Sequence, residues 1–221
     1  MKCPPHFDYE KKYWHKDYAV LGIDEVGRGC LAGPITVGCI EFSPLITAEN
    51  QLKLVSAGIR DSKQLSAKKR QDLMGVIKEF STFVATESSD VEIINSKGIE
   101  YALKIAIANI VLRYKKEHPE NKILLLVDGR GIANIPYIND IERFHLIGGD
   151  GISVSIAAAS IVAKVTRDQY MDNLSGHELY GWQSNKGYGT KKHCEAIAKY
   201  GLTIHHRSLF VRNILSALSH K

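Results

Sequence analysis

The sequence predicts an α/β fold, a mixed sheet with helices on both faces, and three observations predict it. Segments of strand and helix character alternate along the chain. "KILLLVD" is a continuous apolar run, the mark of a central strand covered on both sides. "SVSIAAASIVAKVTRDQYMDNL" has helical character and an excess of small residues, so it packs close to its neighbours. The 221 residues suffice for one domain with a small appendage.

The elements follow in order. "FDYEKKYWHKDY" reads as a short polar helix with aromatic anchors, leading into the strand "AVLGID". "LAGPITVGCIEF" is a second strand, rich in Ile and Val. "ITAENQLKLVSAGIRDSKQLS" is less regular and ends in a polar loop. Ser66 is placed as the N-cap of a helix from Ala67 to about Phe80. "STFVATES" is a strand. Ile94, Ile99, Leu103, Ile107, Ile110 and Val111 are close to helical spacing, and Pro119 ends that helix. After "KILLLVD", a loop leads through "FHLIGGDG" to the small-residue helix. A glycine-rich basic loop, "GWQSNKGYGTKKH", and one more helix complete the chain. No internal repeat or low-complexity linker interrupts it.

Composition excludes several classes. Hydrophobic residues make up 44% and charged residues 24%, so disorder is not expected. Lys plus Arg number 29 against 24 Asp plus Glu, a net charge of +5 that suits a nucleic-acid partner without requiring one. Cys3, Cys30, Cys39 and Cys194 are scattered with no C-x-x-C pair, arguing against zinc or a disulfide framework and for a reducing cytosol. The first residues lack an apolar h-region and no stretch is apolar enough to span a bilayer. The expected location is cytoplasmic, with no membrane partner.

"GIDEVGRG" carries the first chemical signal: two adjacent acids, Asp24 and Glu25, leave an apolar strand, and Arg28 follows between two glycines. "VLGID" and "ILLLVD" are both strands ending in an acid, Asp24 and Asp128. Sites in α/β sheets lie at the carboxyl ends of strands, so neighbouring strands would present these acids together. Asp150, in "GGDG", either joins them or caps the helix opening near Ser153. Oxygen-only clusters of this kind suit Mg²⁺ or Mn²⁺. Successive strand residues face opposite ways, so either the strand ends or bends at Asp24, or Glu25 contributes differently from its neighbour.

Three loops carry the second signal. Glycines around Arg28 let the backbone at Gly27 and Gly29 approach a ligand. "RDSKQLS" offers Ser62 and Lys63, and "NKGYGTKKH" offers Lys186, Tyr188, Thr190, Lys191 and Lys192. Cations and hydroxyls among glycines suit phosphate contacts, and an aromatic packs on a sugar or base. Lys164 and Asp168, four apart on a helix, read as an ordinary charge pair.

With these motifs in place, the chain resembles bacterial ribonuclease HII from about Tyr9 to Phe210. "GIDEVGRGCLAGP" is similar to that family's opening motif D-E-x-G-R-G-P-L-A-G-P, "DSKQLS" to its D-S-K segment and "VDG" to its third acidic strand. "GGDGISVSIAAASIVAKVTRDQYM", "NKGYGTKKH" and "HHRSLF" resemble its remaining motifs in the right order. The resemblance implies a ribonuclease H-like fold, a mixed β-sheet flanked by helices with a small helical C-terminal part. It implies one catalytic domain over 1–221, with a core at about 18–172 and an appendage at about 173–221 that contributes to substrate binding. The implied activity is metal-dependent cleavage of RNA in RNA/DNA hybrids, and cleavage 5′ of single ribonucleotides embedded in duplex DNA, leaving 3′-hydroxyl and 5′-phosphate ends.

Carried over by position, the resemblance makes Asp24, Glu25, Asp128 and Asp150 the catalytic acids and the ligands of two divalent cations, Mn²⁺ or Mg²⁺. Gly27, Arg28 and Gly29 become the ribose-sensing turn, Tyr188 the sugar contact and Lys63 a phosphate contact; Ser62 and Lys186 complete the expected substrate-binding set. Ribonuclease HIII, with a glutamate at the fourth acid and an added N-terminal domain, fits less well. A non-catalytic hybrid-binding relative and a metalloenzyme for small phosphorylated metabolites are the other readings, the latter requiring a walled pocket. Cys30, Gly148 and Leu209 depart from the family's proline, lysine and serine. A monomer is expected, and "RNILSALSHK" lacks a Q-x-x-L-x-x-F-F-type clamp-binding pattern.

Overall fold

Alternation along the first strand decides how the molecule layers. In β1 (Tyr18–Val26), Leu21 and Ile23 face one side, while Val20, Gly22 and Asp24 face the other. The computed structural model describes residues 3–212. It adds β2 (Ile35–Phe42), β3 (Ser81–Ser89), β4 (Lys122–Asp128) and β5 (Glu142–Leu146). The five strands form one sheet in the order β3–β2–β1–β4–β5. β1 pairs antiparallel with β2 and parallel with β4, so the expected mixed sheet is what forms.

The helices are α1 (Asp8–Trp14), α2 (Ala48–Ala57), α3 (Ala67–Phe80), α4 (Val91–Lys97), α5 (Ile99–Glu117) and α6 (Val154–Asp172). The short turns α7 (His177–Tyr180) and α8 (Trp182–Asn185) precede α9 (Lys191–Tyr200). α5 lays Leu103, Ile107, Ile110 and Tyr114 on the face carrying Leu21 and Ile23. α3 and α6 cover the opposite face over Ile40 and Phe42.

α6 approaches this sheet closely because two facing strand positions carry no side chain. A Cβ on Gly22 would lie 2.4 Å from the Ser155 backbone, and one on Gly38 would lie 2.2 Å from the Ala159 carbonyl. The small-residue character read in the sequence is therefore a seating requirement. The last described helices pack Trp182, Ile197 and Val211 against Leu31, Ala32 and Met171, closing the C-terminal part onto the chain that follows β1.

Several elements differ from expectation. The long amphipathic segment is two helices, broken at Gly98, whose φ of 87° departs from helix. α2 forms within the segment read as irregular, capped by Thr47, whose hydroxyl accepts from the Asn50 amide. "ERFHL", read as part of a loop, is the edge strand β5. The four cysteines are free. Among the described residues no helix is long and apolar enough to cross a membrane. The expectation about a clamp-binding tail falls on residues outside those described.

Candidate active site

Strand parity builds the acidic site. Leu124 and Leu126 share a cluster with Val20, which puts Asp128, the next residue of that parity, on the α6 side with Asp24. The register pairs Ile23 with Val127, so the two aspartates, each one residue further on, stand side by side on neighbouring strands. A 3₁₀ turn, Gly149–Gly151, brings in Asp150, and Ser153 rather than Asp150 caps α6. The Gly149 amide donates to Asp128 Oδ1 at 2.6 Å, tying this turn to β4. Asp24, Asp128 and Asp150 each offer a carboxylate oxygen, all within 4.8 Å of one another.

Glu25 stands apart from that trio. β1 runs on to Val26 in unbroken register, so the strand neither ends nor bends at Asp24. Glu25 therefore falls on the alternate parity, and its carboxylate meets the Arg28 guanidinium at 3.5 Å. The geometry takes the second of the two routes open to an adjacent pair of acids.

The electrostatics are those of a site short of positive charge. Burial, then the charges of Glu25 and Asp128, push Asp24 well above the usual carboxylate range, against a hydrogen bond from Ser160. Burial also raises Glu25, with Arg28 opposing. Asp150 is pushed up to about 6 by burial and by the neighbouring Asp61 and Asp128. Asp61, not singled out from the sequence, stands beside Asp150, and its charge opposes ionisation of that acid. Three hard-oxygen donors drawn together, with burial and neighbouring charge opposing ionisation of Asp24 and Asp150, fit a divalent cation, whose charge would relieve them.

The loops take distinct places. Lys63 Nζ lies 3.7 Å from Asp150 Oδ2, so it supplies the cation that Gly148 lacks; Gly148 itself has φ 69° at the turn. Ser62 is buried, and its hydroxyl bonds Ser160 Oγ at 2.7 Å. Since Ser160 bonds Asp24, Ser62 supports that acid from behind and does not present its hydroxyl outward. Lys186 turns its ammonium to Asp172. Tyr188 is part-exposed, with Lys164 Nζ 5.6 Å and Arg167 5.9 Å from its ring centre. Lys164 pairs with Asp168 at 2.7 Å, as the spacing suggested.

The turn after β1 is held from inside by two buried arginines. Gly27 has φ 89°, and a Cβ there would lie 2.3 Å from Arg167 Nε, whereas one at Gly29 would meet nothing within 4 Å. Arg167 donates to the carbonyls of Pro34, Lys186 and Ala32. Arg207 donates to those of Gly33, Gly27 and Arg28. Nothing local in "AKVTRD" or "HHRSLF" signals which carbonyls these guanidiniums hold. Cys30, beside the turn, is fully buried, with Sγ 3.8 Å from the Lys186 carbonyl.

A cavity of about 780 Å³ is lined by Asp90, Glu92, Asn95, Tyr170 and His205, none of them a predicted site residue.

Comparison with known proteins agrees with this geometry. The family profile described as Ribonuclease HII matches residues 21–213. A ribonuclease HII of Rickettsia felis is 43% identical over 206 residues, covering 91% of this chain and 95% of that relative. One of Clostridium acetobutylicum is 39% identical over 214 residues, covering 95% and 78%. A solved chain of the PCNA:RNase HII complex from Archaeoglobus fulgidus is similar with a TM-score of 0.70 at 25% identity, covering 91% of this chain and 97% of that one.

Proposed function

The chain belongs to the ribonuclease HII family and is an endoribonuclease acting on RNA/DNA hybrids, and we propose that it also cuts 5′ of single ribonucleotides embedded in duplex DNA. The observation that carries this reading is the convergence of Asp24, Asp128 and Asp150 within 4.8 Å, beside a glycine turn left open at Gly29. Asp24, Asp128 and Asp150 would hold the divalent metal, Mn²⁺ or Mg²⁺, with Glu25 contributing from the strand's other face. When bound, that metal supplies Lewis-acid stabilisation of charge at the scissile phosphate and a more acidic water.

The chain's own residues do the rest. The Gly27–Gly29 backbone, held by Arg207, offers its polar groups to the 2′-hydroxyl, the group that separates ribose from deoxyribose. Tyr188 packs on the same sugar from the opposite side, and Lys63 meets the backbone phosphate. Ser62, through Ser160, holds Asp24 in place. Lys186 orders the loop through Asp172 and through its carbonyl, bonded to Arg167 at 2.8 Å. The protein acts as a monomer in this reading, the part from 173 onward serving as the substrate-binding appendage.

The test uses labelled duplexes with one ribonucleotide, with none, and with a full RNA strand, each in Mg²⁺, Mn²⁺ and EDTA. The reading requires a metal-dependent cut 5′ of the lone ribonucleotide and an intact all-DNA duplex. Cleavage of the full hybrid only would overturn the single-ribonucleotide assignment.

A further inference from the structure

The two halves of the proposed ribose clamp, the Gly27–Gly29 turn and Tyr188, are far apart in sequence, yet one short segment reaches both. Ala32 and His206 form an antiparallel bridge, and the Arg207 amide donates to the Leu31 carbonyl at 2.7 Å. From this segment Arg207 grips the carbonyls of Gly27 and Arg28. His206 points instead into a sealed aromatic cluster with Tyr180, Trp182 and His193.

Inside that cluster the hydrogen bonds admit one assignment of protons. The Thr203 amide donates to His206 Nδ1 at 3.0 Å, so that nitrogen is an acceptor and Nε2 carries the proton. His206 Nε2 lies 3.3 Å from His193 Nε2, which also accepts from Trp182 Nε1 at 3.1 Å. His193 Nε2 is thus the acceptor of both, and His193 Nδ1 donates to the Tyr188 carbonyl at 2.9 Å. Burial lowers both imidazoles, His206 to about 4 with help from His193 and His205, which keeps each ring neutral at neutral pH. Thr190 caps α9 by accepting from the His193 amide, leaving the ring to fold back on Tyr188.

We propose that His193 is a positioning residue for ribose recognition: its ring holds the Tyr188 backbone in register with the turn gripped by Arg207, and Trp182 and His206 fix the tautomer in which it does so. The inference rests on the reading of Tyr188 as the sugar contact. His193 is fully buried and does not touch substrate; it acts through the backbone it holds.

Two substitutions at His193 separate positioning from simple stability. Asn places an amide donor near Nδ1, so His193→Asn keeps the bond to Tyr188 and orphans the Trp182 and His206 donors. Gln places its amide near Nε2, so His193→Gln accepts from those donors and releases Tyr188. The expected orders cross. His193→Asn has the lower Tm, but its kcat on the single-ribonucleotide duplex stays within about threefold of the unmodified protein; His193→Gln has the higher Tm and loses about tenfold in kcat or more with KM little changed.

Combining His193→Gln with Tyr188→Ala should add less than about twofold to the loss from Tyr188→Ala alone, because both act through one group. Activity that follows Tm, or losses that multiply in the double variant, would overturn the proposal while leaving Tyr188's role intact. A Tyr188→Ala variant that cuts the single-ribonucleotide duplex normally would overturn the reading of Tyr188, and the positioning role of His193 with it.

Discussion

At the scale of single residues, the two glycines around Arg28 have different reasons to be glycine. Gly27 sits at φ 89° against Arg167, so Gly27→Ala strains the backbone and displaces a buried guanidinium. Its expected cost is more than about 1 kcal/mol of stability in denaturant unfolding. Gly29 faces open space, so Gly29→Ala should leave Tm unchanged and lower kcat/KM on a lone ribonucleotide by about tenfold, by crowding the sugar's approach. A fall in Tm at Gly29 with normal cleavage would reverse that assignment. Both glycines and the four acids could be picked out from the sequence because each lies in a local motif, though the structure draws only Asp24, Asp128 and Asp150 together. It did not show that Ser62 turns inward, or that Asp61 meets Asp150, since both depend on where a distant turn comes to rest.

At the scale of elements, the seating of α6 governs the site, because this helix follows directly on the Asp150 turn and carries Ser160 to Asp24. Gly38→Ala drives a methyl group against the Ala159 carbonyl, backbone that cannot rotate away. About 2–3 kcal/mol of destabilisation is expected, as for overpacked cores, and chemical denaturation measures it. An unchanged denaturation midpoint would show that the helix has room to shift. α6 was legible from its run of small residues, and β4 from its apolar run. β5 was not: it is short, half-exposed at the sheet edge, and includes Arg143 and His145, so pairing with β4 defines it more than its own pattern does. α2 has Thr47 and Gly58 as good boundary signals, but Leu54 is its only buried residue and the periodicity is faint.

At the scale of the whole molecule, the fold brings three acids from β1, β4 and the turn before α6 together, and their repulsion must appear in its stability. Asp150 is raised from 3.8 to about 6 in the folded state, so the folded chain holds this proton more tightly than the unfolded chain. The stability this group contributes is full below pH 3.8 and is lost as pH rises through about 6. A divalent cation offsets that loss where the acids are ionised. The rise in Tm on adding Mg²⁺ or Mn²⁺ should therefore be larger at pH 7.5 than at pH 5, and smaller in Asp150→Asn. An equal rise at both pH values would place the cation elsewhere. The C-terminal part, closing on the Gly27–Gly29 turn through Arg207 and tied to Tyr188 through His193, was the least legible region, because long-range backbone contacts define it.

The most direct test of the acidic site compares cleavage and binding in one experiment: the unmodified protein, Asp24→Asn and Asp128→Asn, on a duplex with one embedded ribonucleotide in Mg²⁺. Neutral amides hold hard cations poorly. Both variants should bind the duplex with affinity close to that of the unmodified protein and fail to cut it. Near-normal turnover by either variant would contradict the account at its centre, because the cluster of Asp24, Asp128 and Asp150 would then not be where the chemistry happens.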